Sequence, residues 1–359
     1  MSNATQIVTD YAVPTGEYIR EWLEENELSQ ADLARAMGVS AKHVSKLLSG
    51  ASLSPDVALK LEMVTRIPAR IWLQQEATYR ADVARLGLEE SLIEEKELAA
   101  EFPIAELRKM GIISSTMRRP GMVLMELMAF FGVGSLDGLR TRSQPVPAFR
   151  QDQAHPVKPG SVQAWLRIIE LELKALDPLQ EHYDEEKFLA LLPQIRALSV
   201  SPPEHFGAKL VEMLADAGVR LLYVKEIPGI RAHGCTQWYE GRPVITLTLR
   251  GKDDGKFWFT VFHEFAHVLL HRGNEVMIQA DGEPATEAES EADEFARNAL
   301  IPPTALPALR ALKSKSEIRR FASRIGTCPG VVVGRLHHEK LWPHSHGADL
   351  YLRMSIVDD

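Results

Sequence analysis

The chain has 359 residues, 45% of them hydrophobic and 25% charged, with a net charge of −8. That length exceeds one ordinary domain and fits two or three, the composition is that of a globular protein, and the lack of any apolar run of about 18 residues excludes a membrane-spanning helix. The acidic balance excludes a whole surface that binds nucleic acid, so any DNA contact must come from a local patch.

The first residues show neither the basic nor the apolar region of a signal peptide. Cys235 and Cys328 stand alone and far apart, which fits a reducing cytoplasm and no disulfide framework. Five short helices are predicted before residue 90. Ile19, Trp22 and Leu23 fall at helical spacing in a helix over Thr15 to Asn26. Ser29 caps a second helix, with Asp32 completing a capping box and Gly38 ending it. Ser40 caps a third, with Val44, Leu47 and Leu48 facing inward and Gly50 stopping it. Ser54-Pro55-Asp56 opens a fourth, and Pro68 opens a fifth that Gly87 is expected to stop.

Helices 2 and 3 meet at Met37-Gly38-Val39-Ser40, a short glycine turn between capped helices that is the signature of a helix-turn-helix. The third helix would enter the major groove. Ser40, Ala41, Lys42, His43, Ser45 and Lys46 are its expected contacts to base edges and phosphates, and Gln30 at the start of helix 2 would touch a phosphate. The competing reading is a helical bundle for protein contacts, since residues 1–85 hold nine Lys/Arg against eleven Asp/Glu. Five of the acids, however, crowd into Glu17–Glu27, away from the third helix.

Residues 91–200 read as helical with little chemistry. Val123–Met128 is a strongly apolar segment ended by Gly132 and Gly134. Residues 141–160, which hold proline, glycine and polar side chains, read as a linker or long loop. Ser161 is expected to cap one helix and Asp184 another that contains Pro193. From about residue 201 the pattern changes. Pro202 is expected to open a helix ending at Gly218. Val219–Val224 and Val244–Leu249 read as strands, with a loop or further strand between them, and helices are expected over about 256–272 and 285–300. The fold class is therefore α+β, mostly α: residues 1–90 a five-helix helix-turn-helix domain, 91–200 a helical connecting segment, 201–359 a domain with a small sheet.

The helix from 256 contains His263-Glu264-Phe265-Ala266-His267. Two histidines one turn apart can converge on one Zn²⁺, and the intervening Glu264 can take a proton from water beside the open position. Such a site needs a third protein ligand. Glu289 supplies it from the next helix, and Asp293, one turn on, can fix the tautomer of a ligand histidine. Glu291 competes for the ligand role. At ~100° per residue it falls with Glu294 and Asn298 on the solvated face, whereas Glu289 and Asp293 share an edge of the apolar stripe. His271 lies one further turn along the first helix and reads as packing or support beside the ligands. His233, Tyr239, His337 and His338 are weaker candidates to donate to an oxyanion.

HEFAHVLLH followed by ESEADEFARNALIP resembles the ImmA/IrrE family of metallopeptidases over roughly residues 205–340, with Leu300-Ile301-Pro302 standing where that family usually has leucine-methionine-proline. The resemblance implies a gluzincin-like peptidase fold, Zn²⁺ as cofactor, His263, His267 and Glu289 as ligands, and Glu264 as general base. LSQADLARAMGVSAKHVSKLLSG and its flanks resemble XRE-type helix-turn-helix domains, especially HigA-type antitoxins, over about residues 15–75. Together the resemblances imply a cytoplasmic, homodimeric regulator of a toxin–antitoxin or phage-repressor type. Its partners would be operator DNA and a protein substrate or cognate toxin, with no membrane. Two alternatives stay open: a non-catalytic repressor that holds a toxin and carries a structural or vestigial zinc site, and a metal-sensing repressor.

Overall fold

The computed structural model describes residues 9–142, 144, 158–200, 206–227, 230–248, 253–273, 276–280 and 286–354. The chain divides into two compact units, one running up to Ala99 and including Ser114–Leu127, the other comprising Ala100–Ile113 and the chain from Met128 onward. Among the described residues no single helix is long and apolar enough to cross a membrane.

The first unit opens with α1 (Thr15–Glu25), α2 (Gln30–Met37), α3 (Ala41–Leu48), α4 (Pro55–Thr65) and α5 (Ala69–Ser91). Local chemistry sets their ends. Ser29 and Asp32 form the reciprocal capping box of α2, and Gly38 closes that helix in the left-handed region at φ +62°. Ser40 and Ser54 cap α3 and α4 by accepting from His43 N–H and Val57 N–H. Ile19, Leu33, Val44, Leu47, Leu61 and Trp72 are buried together as the core of this bundle. Gly16 lets α1 lie against α3, because a Cβ there would collide with the backbone of Leu47 and Leu48. The expected stop at Gly87 is wrong, as α5 runs through it to Ser91. A helical glycine weakens a helix by only about 1 kcal/mol, and no proline follows here to break the hydrogen-bond ladder.

Further short helices follow: α6 (Lys96–Ala100), α7 (Ile104–Lys109), α8 (Pro120–Phe131) and α9 (Leu136–Arg142). Then come α10 (Pro159–Ala175), α11 (Glu185–Leu198) and α12 (Phe206–Asp216). Ser161 does not cap α10. Pro159 occupies its first turn with Lys158 at the N-cap, and Ser161 is buried inside the helix. Proline's fixed φ suits that first position without a capping side chain. Asp184 caps α11 through Lys187 N–H, with Pro193 inside the helix. Most of the expected linker at 141–160, and Pro202, lie outside the described residues.

The second unit carries a mixed sheet in the order β1-β3-β2-β4: β1 (Arg220–Tyr223), β2 (Ala232–Tyr239), β3 (Arg242–Leu247) and β4 (Met277–Ala280). β1 pairs parallel to β3, and β2 pairs antiparallel to both β3 and β4. The stretch expected as a loop or strand is thus the interior strand β2. β4 was not anticipated, since its four residues are too short to show alternation. Against the sheet packs α13 (Asp254–Leu270), followed by α14 (Glu287–Leu300), α15 (Leu306–Arg310), α16 (Lys315–Ile325) and α17 (Pro329–His338). Phe262, Phe265, Leu300, Phe321 and Val331–Val333 share one core with Leu221, Ile245 and Leu247 of the sheet. The C-terminal helices are therefore part of the same packing unit as the sheet.

Candidate functional site

Thirteen of the seventeen residues of α13 are buried. Its polar residues must therefore find partners within the fold or bind a ligand. Asp253 starts the helix by accepting from Lys256 N–H at 2.8 Å, and nearly three turns later the helix presents His263, Glu264 and His267 toward α14 and β2. Thr286 starts α14 by accepting from Glu289 N–H at 3.2 Å, which places Glu289 in its first turn opposite the two imidazoles.

His263 Nε2 lies 3.0 Å from Glu289 Oε2 and 3.0 Å from His267 Nε2. His267 Nε2 lies 3.4 Å from Glu289 Oε1. All three residues are buried, and their nearest donor atoms lie within 4.8 Å of one another. The donor set suits zinc in identity and spacing, because bonds of ~2.0–2.1 Å in tetrahedral arrangement put neighbouring ligand atoms about 3.3 Å apart. Glu289 Oε1 is buried with no hydrogen-bond donor on it, as a free ligand atom would be. His263 Nδ1 contacts Asp293 Oδ1 at 2.9 Å, which leaves Nε2 to face the cluster.

Glu264 is fully buried. Thr236 Oγ1 on β2 donates to its Oε2 at 2.6 Å, while its Oε1 has no partner. Gly234 makes room for this carboxylate, since a Cβ there would collide with Oε1 and Cδ. Burial pushes Glu264 up to about 8, with Glu289 adding to the rise and His263 and the Thr236 hydrogen bond holding it back. Burial on its own would depress the His263 imidazole, but its hydrogen bonds to Asp293 and Glu289 and the nearby carboxylate charges hold it at about 9. His267 is lowered, first by burial. Burial would raise Glu289, but the two histidines outweigh it and bring that carboxylate down to about 2. Among the protein groups alone, the positive charge that Glu289 attracts is the His263 proton. A divalent cation would take over that role and favour ionised Glu264.

The neighbours of this cluster were not all foreseen. His271 touches His267, Nδ1 to Nδ1 at 2.9 Å, and its Nε2 lies 2.9 Å from Glu291 Oε2. Glu291 is thus more than a solvated acid: its long side chain reaches round to the end of α13. The sequence does not single out Thr236 and Gly234, because β2 lacks the clean alternation of a strand. Of the four weaker candidates, His337 has both ring nitrogens engaged. Nε2–H donates to His346 O at 2.8 Å, and Nδ1 faces Tyr351 Oη at 3.4 Å. His338 is exposed on α17, while His233 and Tyr239 lie on β2.

In the first unit, Gln30, Ser40, Ala41, Lys42, His43, Ser45 and Lys46 are all exposed, while Val44, Leu47 and Leu48 are buried behind them. α3 therefore shows solvent a face with two lysines, a histidine and a serine and no acid. The oxygen of Ser40 already accepts from His43 N–H at 3.2 Å, which leaves its hydroxyl hydrogen and one lone pair for contacts outward.

Residues 19–72 match the family profile described as helix-turn-helix. A protein of Escherichia coli (strain K12), described as an uncharacterized HTH-type transcriptional regulator YddM, is 37% identical over 79 residues, which is 20% of this chain and 84% of that protein. The chain belongs to the HTH-type transcriptional regulators. Residues 216–337 match the M78 peptidase family profile described as IrrE N-terminal-like domain. The regulator thus joins an XRE-type DNA-binding domain to an IrrE/ImmA-like peptidase domain, and the buried His/His/Glu cluster lies within the matched span of the latter.

Proposed function

We propose that this regulator is a cytoplasmic, homodimeric repressor or antitoxin that binds operator DNA through α3, and that residues 201–359 form a zinc endopeptidase cutting a regulatory protein or cognate toxin. In this reading residues 1–90 bind DNA and 91–200 connect the two activities. His263, His267 and Glu289 hold zinc, Glu264 is the catalytic base, and Asp293 and His271 support the ligand histidines. Gln30, Ser40, Ala41, Lys42, His43, Ser45 and Lys46 contact DNA.

The observation that carries the enzymatic reading is the setting of Glu264. It is a fully buried carboxylate between the two histidines in sequence, with one oxygen held by Thr236 and the other without a partner. A structural zinc site needs no such group. Bound zinc supplies Lewis acidity, polarising a carbonyl and acidifying water. Glu264 then takes a proton from the attacking water at its free oxygen and returns it to the departing amine nitrogen. The hydrogen bond from Thr236 keeps the other oxygen in place through both transfers. His263, Glu264 and His267 are each 1% exposed or less, so bulk water competes little with them.

Two measurements on the full chain test this. Elemental analysis should find about one zinc per chain, as a three-ligand site implies. A protein that refuses added zinc ends the reading. Mass spectrometry of a mixed peptide library should show cleavage that Glu264→Gln reduces by about 10²–10⁴-fold, with zinc content unchanged. Equal cleavage by the variant would remove Glu264 from the chemistry, and loss of zinc would make it a ligand.

A further inference from the structure

We infer that His271 and Glu291 form an outer relay that sets the tautomer and rotation of His267, with both acting as positioning residues for the metal site. The inference rests on reading His263, His267 and Glu289 as zinc ligands.

Two contacts carry it: His267 Nδ1 to His271 Nδ1 at 2.9 Å, and His271 Nε2 to Glu291 Oε2 at 2.9 Å. A neutral histidine that gives the lone pair of Nε2 to a metal carries its hydrogen on Nδ1. His267 Nδ1–H therefore donates, and His271 Nδ1 accepts. A neutral imidazole that accepts at Nδ1 carries its own hydrogen on Nε2, and here that hydrogen points at Glu291. The ionised carboxylate has no hydrogen to give and accepts it. Each assignment follows from the one before. Reversing any of them sets two hydrogens or two lone pairs face to face.

The two ligand histidines are thus supported differently. His263 reaches its carboxylate directly, through Asp293, whereas His267 reaches Glu291 only through an intervening ring. His271 sits at the C-cap of α13, where its backbone N–H donates to His267 O at 3.2 Å. It is 9% exposed, so water is a poor substitute partner for either nitrogen. The Glu291 side chain is 55% exposed, so solvent screens its charge and its removal matters less than removal of the ring. α14 supplies both the third ligand and the end of the relay, with Glu289 and Glu291 two residues apart.

The test is zinc affinity of the full chain, measured by competition with a chromogenic chelator. His271→Phe keeps the ring volume but loses both nitrogens, and should weaken zinc binding by about 10–100-fold. Glu291→Leu should weaken it by less, on the order of 3–10-fold, because that carboxylate is screened. The His271→Phe/Glu291→Leu double variant should bind zinc as His271→Phe does, since Glu291 acts only through the ring. Glu291→Gln, whose amide oxygen still accepts from Nε2–H, should recover most of the loss. Glu294→Leu, which removes an exposed acid from the same helix, should bind like wild type. Histidine ¹⁵N spectra of the zinc-loaded protein should show His271 as the Nε2–H tautomer in wild type and lose that preference in Glu291→Leu. Wild-type affinity in either single variant, losses that add in the double, or an equal loss in Glu294→Leu would overturn the relay. A wild-type protein that binds no zinc overturns instead the reading of the site itself.

Discussion

Helices α3 and α13 each carry histidine and each begin at a capping side chain, yet α3 leaves Lys42, His43, Ser45 and Lys46 in solvent while α13 buries His263, Glu264 and His267 to 1% exposure or less. The difference separates two ways of storing function in a helix. On α3, the proposed DNA-contacting helix, the polar groups are open to water, which DNA would replace, so each should contribute alone and tolerate change. On α13 the polar groups are held by partners inside the fold, such as Asp293, Glu289 and Thr236, so removing one group leaves its partner buried and unpaired. Functional losses should accordingly be large and coupled in the second unit, small and additive in the first.

The largest effect is expected at Glu289, whose carboxylate faces both imidazoles. Glu289→Ala removes one of the three proposed ligands and should weaken zinc binding on the order of 10²–10³-fold in a chelator titration. Retention of wild-type affinity would move the third ligand elsewhere and dissolve the contrast with α3. Next comes Gly234, where the carboxylate of Glu264 occupies the space a side chain would need. Gly234→Ala should push that carboxylate off Thr236, leaving zinc content intact and slowing cleavage on the order of 10–10²-fold, the effect of misplacing a catalytic group by about 1 Å. Unchanged cleavage would mean that Glu264 reaches its substrate from another position.

How much of this was legible follows from where each signal sits along the chain. The helix-turn-helix was readable because capping and turn chemistry are local: Ser29 lies three residues from Asp32, and Gly38 two residues from Ser40. The spacing of His263 and His267 is local too, and α13 brings their Nε2 atoms to 3.0 Å. The rotation of α14 puts Glu289 beside them, as its place in the apolar pattern requires. What stayed hidden is non-local. Thr236 and Gly234 act on Glu264 across some thirty residues, from a strand whose burial pattern does not alternate cleanly. Glu291 looks solvated in the sequence because helix rotation describes Cβ directions, whereas a glutamate can reach round its helix to a ring at the end of the preceding one.

A smaller effect is expected on α3. Lys42→Ala with Lys46→Ala should weaken operator binding about tenfold, and each lysine that meets a phosphate should lower the salt slope by about one. Gel-shift titration at several salt concentrations reads both quantities, and the two losses should add. Wild-type binding by the double variant would place the DNA-contacting surface elsewhere. Strong non-additivity would make α3 resemble α13 and break the comparison.

The smallest effect tests the comparison from the opposite direction, through a buried acid in the first unit that serves no ligand. Glu76 on α5 is 7% exposed. It accepts from Thr15 Oγ1 at 2.7 Å and from Arg80 Nε at 2.8 Å, which ties α5 to the start of α1. Burial on its own would raise this carboxyl, but those donors and the backbone at Leu53 outweigh it and hold it below its ordinary 4.5. A depressed folded value means that the charged form is the one the fold prefers. Its stabilisation is therefore fully present above about pH 4.5 and is lost as pH falls through the folded value. Glu76→Gln keeps the shape and one acceptor but loses the charge, and should destabilise α1 and α5 by about 1 kcal/mol near neutrality. Hydrogen exchange of the amides of α1 and α5 in the full chain can follow this at successive pH values. The gap between wild type and variant should shrink as the medium is acidified below pH 4.5, because the protonated wild-type carboxyl comes to resemble the amide. A gap that stays constant down to pH 3 would show that shape, and not charge, is what Glu76 contributes. In that case the energetics of buried acids in the two units differ in kind, and not only in whether a metal is there to use them.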